Sequence, residues 1–306
     1  MLSNLFKRRI FMYKKILLIV NPNAGREGYR SALADILKIF CEADCEPTVF
    51  FTKYSMHAAE IVQNSCNDYD LVVCLGGDGT LSEVTAGVMM SETKLPIGYI
   101  PLGTANDVAR TLGLSFKPVE AAKNILSGSL FPMDIGKFGP DKFFTYIAAF
   151  GAFTEVSYAT PSELKHSLGH LAYMLEAAKS ITKITGNHAI IEYDGGVIED
   201  DFIFGAISNS TSVAGLFKLD SRDVNLSDGM FEILLIRKPK TLDDLNQILT
   251  EILLMNFSNE NVFFLKSREV RIMFSSPTSF TRDGEDGGAH RDVYITNCHP
   301  GVNIIV

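Results

Sequence analysis

The sequence predicts an N-terminal α/β domain, a parallel sheet flanked by helices, followed by a C-terminal, mainly antiparallel β-sandwich. Three observations carry this. Compact apolar segments alternate with helix-patterned ones from residue 15 to about residue 126, the signature of a parallel sheet covered on both faces. From Met133-Asp134-Ile135-Gly136 onward, short alternating segments dominate instead. A length of 306 residues holds two domains of roughly 100–200 residues each. The expected boundaries are 12–133 and 134–306, with the last few residues returning to the first domain and 1–11 forming an N-terminal extension.

In order, 15–20 reads as a buried strand, ended by Asn21-Pro22-Asn23-Ala24-Gly25. Residues 29–43 have helical spacing, 46–51 are strand-like and 56–64 helical. A fully buried strand at 70–74 runs into Leu75-Gly76-Gly77-Asp78-Gly79-Thr80, and a helix is expected from Leu81 to Met90. A strand at 96–100 precedes the loop 101–107, and 119–126 is helical. The second domain offers strands at 142–150, 188–193, 201–208, 229–237, 269–274 and 293–295. Helices are expected at about 163–184 and 241–255, and turns at Asp194-Gly195-Gly196 and Asp228-Gly229.

Composition excludes several classes. A net charge of −8 supplies no global field for nucleic-acid backbones. The five cysteines form no Cys-x-x-Cys pair, which reads as reduced thiols in a cytoplasmic protein. No apolar run approaches the roughly 20 residues of a membrane span. Lys7-Arg8-Arg9 is a small basic cluster within the extension, a weak candidate for contact with anionic lipid.

The loops at 21–25, 76–80 and 101–107 all follow strands, and ligands of parallel sheets bind beyond the carboxyl ends of the strands. The glycine turn at 76–80 joins a strand to a helix start, where free amides and the helix dipole favour anions. Asp78 within it is out of place in a plain phosphate cradle, because a carboxylate repels polyphosphate unless a cation lies between them. A magnesium–nucleotide complex explains it, with Asp78 holding the metal or its water. A tight turn capped by Thr80 explains the same residues without a ligand.

Three segments together resemble the diacylglycerol kinase catalytic family: Asn21 to Gly25, Gly76-Gly77-Asp78-Gly79-Thr80, and Pro101-Leu102-Gly103-Thr104-Ala105-Asn106-Asp107-Val108-Ala109-Arg110. Asp283-Gly284-Glu285, and Lys165 with Gly169 and Tyr173, add to the match, which runs from residue 15 to about 290. The glycine motif alone is shared with NAD kinases; the 101–110 segment is the specific one.

The resemblance implies a nucleotide-binding α/β domain, a β-sandwich lipid domain and an active site in the interdomain cleft. It implies transfer of the ATP γ-phosphate to a lipid hydroxyl with Mg²⁺, most simply diacylglycerol to phosphatidic acid. The kinases of other lipid alcohols, such as phosphatidylglycerol or a sphingoid base, and NAD kinase are the alternatives. Nucleotide contacts are expected from Asn21, Asn23, Arg26, Gly76, Gly77, Gly79, Thr80, Gly103, Thr104 and Asn106. Asp107 would join the carboxylate and metal network, with Arg110 one turn on as its ion-pair partner. Glu285 is the candidate general base for the lipid hydroxyl, supported by Asp283, and Asp78 is the second choice. Asn225-Leu226-Ser227-Asp228-Gly229-Met230 resembles a segment in which an aspartate and backbone carbonyls hold a structural magnesium, so Asn225, Asp228 and Met230 are metal candidates; Asp228-Gly229 is equally an ordinary hairpin turn. The partners implied are a lipid at a membrane surface, through peripheral contact at the inner face, and no nucleic acid. A homodimer is left open.

Overall fold

The computed structural model describes residues 13–24, 28–151, 185–209, 212–213, 217–218, 225–258 and 260–306. Gly25, Arg26, the extension at 1–11, the helix expected at 163–184 and Lys165, Gly169 and Tyr173 therefore lie outside the described residues. The chain divides into two compact units: unit 1 holds 1–103, 114–131 and 303–306, and unit 2 holds 104–113 and 132–302.

In unit 1, strands β1 (Lys15–Val20), β2 (Glu46–Phe51), β3 (Leu71–Gly76) and β4 (Ile97–Pro101) alternate with helices α1 (Gly28–Glu42), α2 (His57–Ser65) and α3 (Asp78–Met90). Two more helices follow, α4 (Asp107–Thr111), which groups with unit 2, and α5 (Pro118–Ser127). The strands are parallel in the order β4-β3-β1-β2, with Ile16 opposite Leu71 and Val72 opposite Ile97. Every residue of β3 and β4 is buried. That is why these strands read as continuous apolar runs rather than alternating ones: helices cover both faces. On one face Ile16, Leu18, Val73 and Leu75 pack against Ile36 and Phe40 of α1 and Ile125 of α5. Between α2 and α3 the backbones approach so closely that a Cβ at Gly87 would lie 2.8 Å from the Val62 side chain.

Unit 2 contains β5 (Leu130–Phe138, whose first two residues belong to unit 1), β6 (Lys142–Phe144), β7 (Ile147–Gly151), β8 (Asn187–Tyr193) and β9 (Gly196–Ser208). There follow a small antiparallel pair, β10 (Ser212–Val213) and β11 (Phe217–Lys218), then β12 (Phe231–Arg237), helix α6 (Leu242–Leu254), β13 (Val262–Ser267), β14 (Glu269–Arg282) and β15 (Glu285–Ile305). The order β13-β12-β9-β7-β14-β15 is antiparallel throughout. Where the sequence predicts a sandwich, the larger strands form one connected network. The reason is length: β9, β14 and β15 run for 13, 14 and 21 residues, and β9 and β14 each pair with β8 along one part and β7 along another. Alternation then divides the core. Ala148, Phe150, Ile233 and Leu235 face one cluster; Ile147, Ala149, Leu234 and Ile236 face another, covered by Leu245, Ile248 and Ile252 of α6. The end of β15 returns to unit 1, where Ile304 pairs with Ile97 of β4.

Three boundaries differ from expectation. The helix expected from Leu81 begins at Asp78, so Asp78, Gly79 and Thr80 form its first turn. The strand expected at 142–150 breaks at Thr145-Tyr146, for a reason given below. The segment 104–113, expected within the first domain, groups with unit 2. Among the described residues no helix is long and apolar enough to cross a membrane.

Candidate active site

The first constellation is built entirely within unit 1. β1, β3 and β4 are parallel neighbours, so the loops that follow them leave from the same edge of the sheet. The β3 loop is very short: Gly76 ends the strand, Gly77 is the helix N-cap and Asp78 is already helical. The first helical bond runs from Leu81 N–H to Gly77 O at 3.0 Å, so the amides of 78–80 have no acceptor within the helix. Gly77 has ordinary extended dihedrals, φ −95° and ψ −172°; what makes it glycine is space. A Cβ there would lie 3.1 Å from Gly103 Cα. The loops after β3 and β4 thus meet backbone to backbone, and Leu102 N–H donates to Gly76 O at 2.7 Å. Gly76 is likewise overlaid by the Thr80 side chain, where a Cβ would lie 2.6 Å from Thr80 Oγ1. Thr80, buried at the third helical position, is therefore not the cap that sequence suggests.

The β1 loop is tied to the same helix. Asn21 Nδ2 donates to Thr80 Oγ1 at 2.9 Å, while Asn21 Oδ1 accepts from Asn23 N–H at 2.9 Å. Asn23 is exposed. One turn further along α3, Glu83 Oε2 accepts from Ala58 N–H at 3.1 Å and so caps the start of α2. A helix start with no side-chain cap and with glycines pressed together in front of it fits a phosphate chain, because close backbone approach and the helix dipole both favour an anion there.

The second constellation lies in unit 2. Asp283-Gly284 is a two-residue hairpin turn joining β14 to β15, with Arg282 opposite Glu285. Both residues have positive φ, 49° and 83°, as a type I′ turn requires, and Asp-Gly is the pair that tolerates it. The Asp283 carboxylate has a further task. Its Oδ2 accepts from Thr145 N–H at 2.6 Å, and Oδ1 accepts from Tyr146 N–H at 3.0 Å and Ile147 N–H at 3.1 Å. These bonds draw the backbone out of the ladder and break the expected strand into β6 and β7. Asp283 is buried; Glu285, the first residue of β15, is exposed. Asp283 therefore shapes and anchors the turn that presents Glu285.

Thr104, Asn106 and Asp107 also belong to unit 2. Asn106 is buried in the left-handed region, φ 49°, as N-cap of the short helix α4, and its side chain makes no cap bond. Asp107 opens that helix. Arg110 donates through Nε to Ala105 O at 2.9 Å and closes the loop in front of α4.

The loop 225–230 is built from Asx-type bonds: Asn225 Oδ1 accepts from Ser227 N–H at 3.1 Å, and Asp228 Oδ1 from Met230 N–H at 3.0 Å. Asp228 Oδ2 lies 3.8 Å from Lys266 Nζ. The fully buried Asp134 anchors the loop through Oδ2, which accepts from Gly229 N–H at 2.7 Å; its Oδ1 lies 2.6 Å from His299 Nδ1. Among the described residues no three His, Cys, Asp or Glu side chains gather as a metal cluster. The Asn225 carboxamide is committed, the Met230 thioether is too soft for magnesium, and Asp228 already shares its charge with Lys266. Of the three, only the Asp228 carboxylate is a hard anionic donor suited to magnesium, so the loop would hold the ion through Asp228 and main-chain carbonyls, in competition with Lys266.

Sequence reasoning passed over Glu232 in β12. It is buried opposite Lys266 of β13, whose Nζ is 3.4 Å from Oε1. Burial pushes its carboxyl pKa up to about 7; the Lys266 ammonium opposes this and Asp228 adds to it. An unfolded glutamate ionises near pH 4.5, whereas the folded one keeps its proton to about pH 7. The folded state therefore binds more protons between these values, and stability falls as pH rises through them. The expected loss from pH 4.5 to 8 is about 3 kcal/mol at most. Denaturant melts of wild type and Glu232→Gln across that range check it: the glutamine variant should show a markedly flatter profile, and parallel profiles would rule the assignment out.

Comparison with known proteins gives the family. Residues 15–138 match the diacylglycerol kinase catalytic domain. A diacylglycerol kinase of Bacillus subtilis (strain 168) is 31% identical over 277 residues, 90% of this chain and 91% of that one. The chain belongs to the diacylglycerol kinase family. A diacylglycerol kinase of Staphylococcus carnosus (strain TM300) is 32% identical over 279 residues, covering 90% of each chain. A crystal structure of a candidate diacylglycerol kinase from Bacillus anthracis str. Sterne superposes with a TM-score of 0.80 at 27% identity, covering 100% of this chain and 98% of that one. Membership makes the chain a lipid kinase, and the matched segment contains the whole unit 1 constellation together with Asp107.

Proposed function

We propose that this protein transfers the γ-phosphate of ATP to the free hydroxyl of diacylglycerol, giving phosphatidic acid, with Mg²⁺. The observation that carries the nucleotide half is the start of α3, which has no side-chain cap and is fronted by the Gly77–Gly103 approach and the Asn21–Thr80 bond. The amides of 78–80, with the main chain at Gly103 and Thr104, receive the phosphates; Asn23 and Arg26 add contacts from the β1 loop. Bound magnesium would neutralise the phosphate oxygens, and Asp78 is the carboxylate that would hold it, directly or through water.

Glu285 receives the proton. The lipid hydroxyl oxygen attacks Pγ, the bond from Pγ to the β,γ-bridging oxygen breaks, ADP departs, and the hydroxyl proton passes to the Glu285 carboxylate. A glutamate is a weak base towards an alcohol, but a loose transition state demands little early proton transfer. Because the acceptor resides in a bilayer, the protein works peripherally, at the inner membrane face.

The test is incubation with labelled ATP, Mg²⁺ and a panel of lipids in mixed micelles, with NAD as a separate acceptor. Labelled phosphatidic acid is expected. A phosphorylated sphingoid base or phosphatidylglycerol in its place would redirect the substrate, and phosphorylated NAD without any phospholipid product would overturn the reading.

A further inference from the structure

We infer that Asn21 and Thr80 form a latch that fixes the β1 loop to the first turn of α3, so that Asn21 is a positioning residue and not a nucleotide contact. This rests on the proposed nucleotide site and assigns its residues more sharply.

Every polar part of Asn21 is engaged with protein. Its N–H donates to Leu75 O at 3.1 Å and its carbonyl accepts from Ala24 N–H at 3.2 Å. Its side-chain oxygen accepts from Asn23 N–H, and its side-chain amide donates to Thr80 Oγ1, both at 2.9 Å. A ligand contact from the carboxamide would have to use the N–H or lone pair that these bonds leave over, and turning the group towards a ligand would break both bonds and strand half-buried partners. Thr80 completes the pair. Its hydroxyl is buried, accepts from Asn21 and fills the space above Gly76.

The two residues lie 59 positions apart in sequence, on loops after non-consecutive strands. β1 and β3 are nonetheless direct neighbours, with Val20 opposite Leu75, so the loop and the helix start are adjacent. The latch makes the two a single rigid piece. It turns the Asx bond of Asn21 into a fixed loop shape in which Asn23 is exposed. A preformed loop spares the ordering cost that a free one would incur when the phosphates bind. Loss of the latch should thus weaken ATP binding more than it slows the chemical step.

A double-mutant cycle tests this. Asn21→Ala and Thr80→Val are each expected to raise the Kd for Mg·ATP, by calorimetry, and the KM for ATP by about 10-fold, with kcat at saturating ATP within about threefold of wild type. Because each variant breaks the same bond, the double variant should lose about as much as either single one. Thr80→Ser, which keeps the hydroxyl, should recover most of the affinity that Thr80→Val loses. Independent losses that multiply to about 100-fold would overturn the latch and return both residues to direct contact. Failure of Thr80→Ser to recover affinity would do the same. Absence of ATP binding by the wild-type chain would instead remove the nucleotide site, and the latch with it.

Discussion

Glu285→Gln is expected to lower kcat at least about 100-fold, the smaller end of what a lost general base removes. Glutamine matches glutamate in size and keeps a hydrogen-bonding side chain, so the change subtracts chiefly the ability to take a proton. The surroundings favour a clean result. Glu285 is exposed at the first position of β15, outside the core, and the turn before it is anchored by the Asp283 carboxylate. The melting temperature should therefore stay within a few degrees of wild type, and KM for ATP should change little. Turnover at saturating ATP and lipid, measured beside a melt, decides the matter. Near-normal turnover would take Glu285 out of the role and bring Asp78 forward.

Asp283→Ala should act through the opposite route, losing at least about 3 kcal/mol of stability along with activity. Removing the carboxylate strands three backbone amides, two of them in buried residues, Thr145 and Ile147. An unsatisfied buried donor costs about 1–3 kcal/mol. Alanine at φ 49° adds strain that aspartate tolerates better. The turn would lose its anchor and Glu285 its placement. Asp283→Asn keeps the turn and one acceptor oxygen, so it should fall between wild type and alanine. Urea unfolding of the three proteins provides the comparison. An alanine variant as stable as wild type would show that the carboxylate does not hold the turn. Together the two experiments separate a residue that takes a proton from one that keeps it in place.

The pattern of strands and helices in unit 1 was legible because its signal is local. A parallel strand covered on both faces must be apolar along its whole length, and Ile16 to Val20 and Leu71 to Leu75 are. Unit 2 was read less completely. β5 and β13 were passed over, and β15 was recognised only at Val293 to Ile295. Half-exposed strands with turn residues inside them, such as Asp286-Gly287-Gly288, carry weak local patterns and exist because long-range partners complete the ladder. At the site, residue types pointed to function while geometry divided the work. Thr80 looked like a cap and instead bonds Asn21; Asp283 looked like a support for Glu285 and anchors the turn before it; Glu232 carried no motif at all.

By itself the sequence determined the α/β character of the N-terminal part, the family and the set of loops proposed to carry the chemistry. These depend on residue type and spacing, which are written in the chain. Only the tertiary structure decided which side chains remain for a ligand. That follows from hydrogen-bond satisfaction: Asn21 and Asp283 find their partners 59 and 138 or fewer positions away, and a group whose acceptor or donor is already taken serves the fold first.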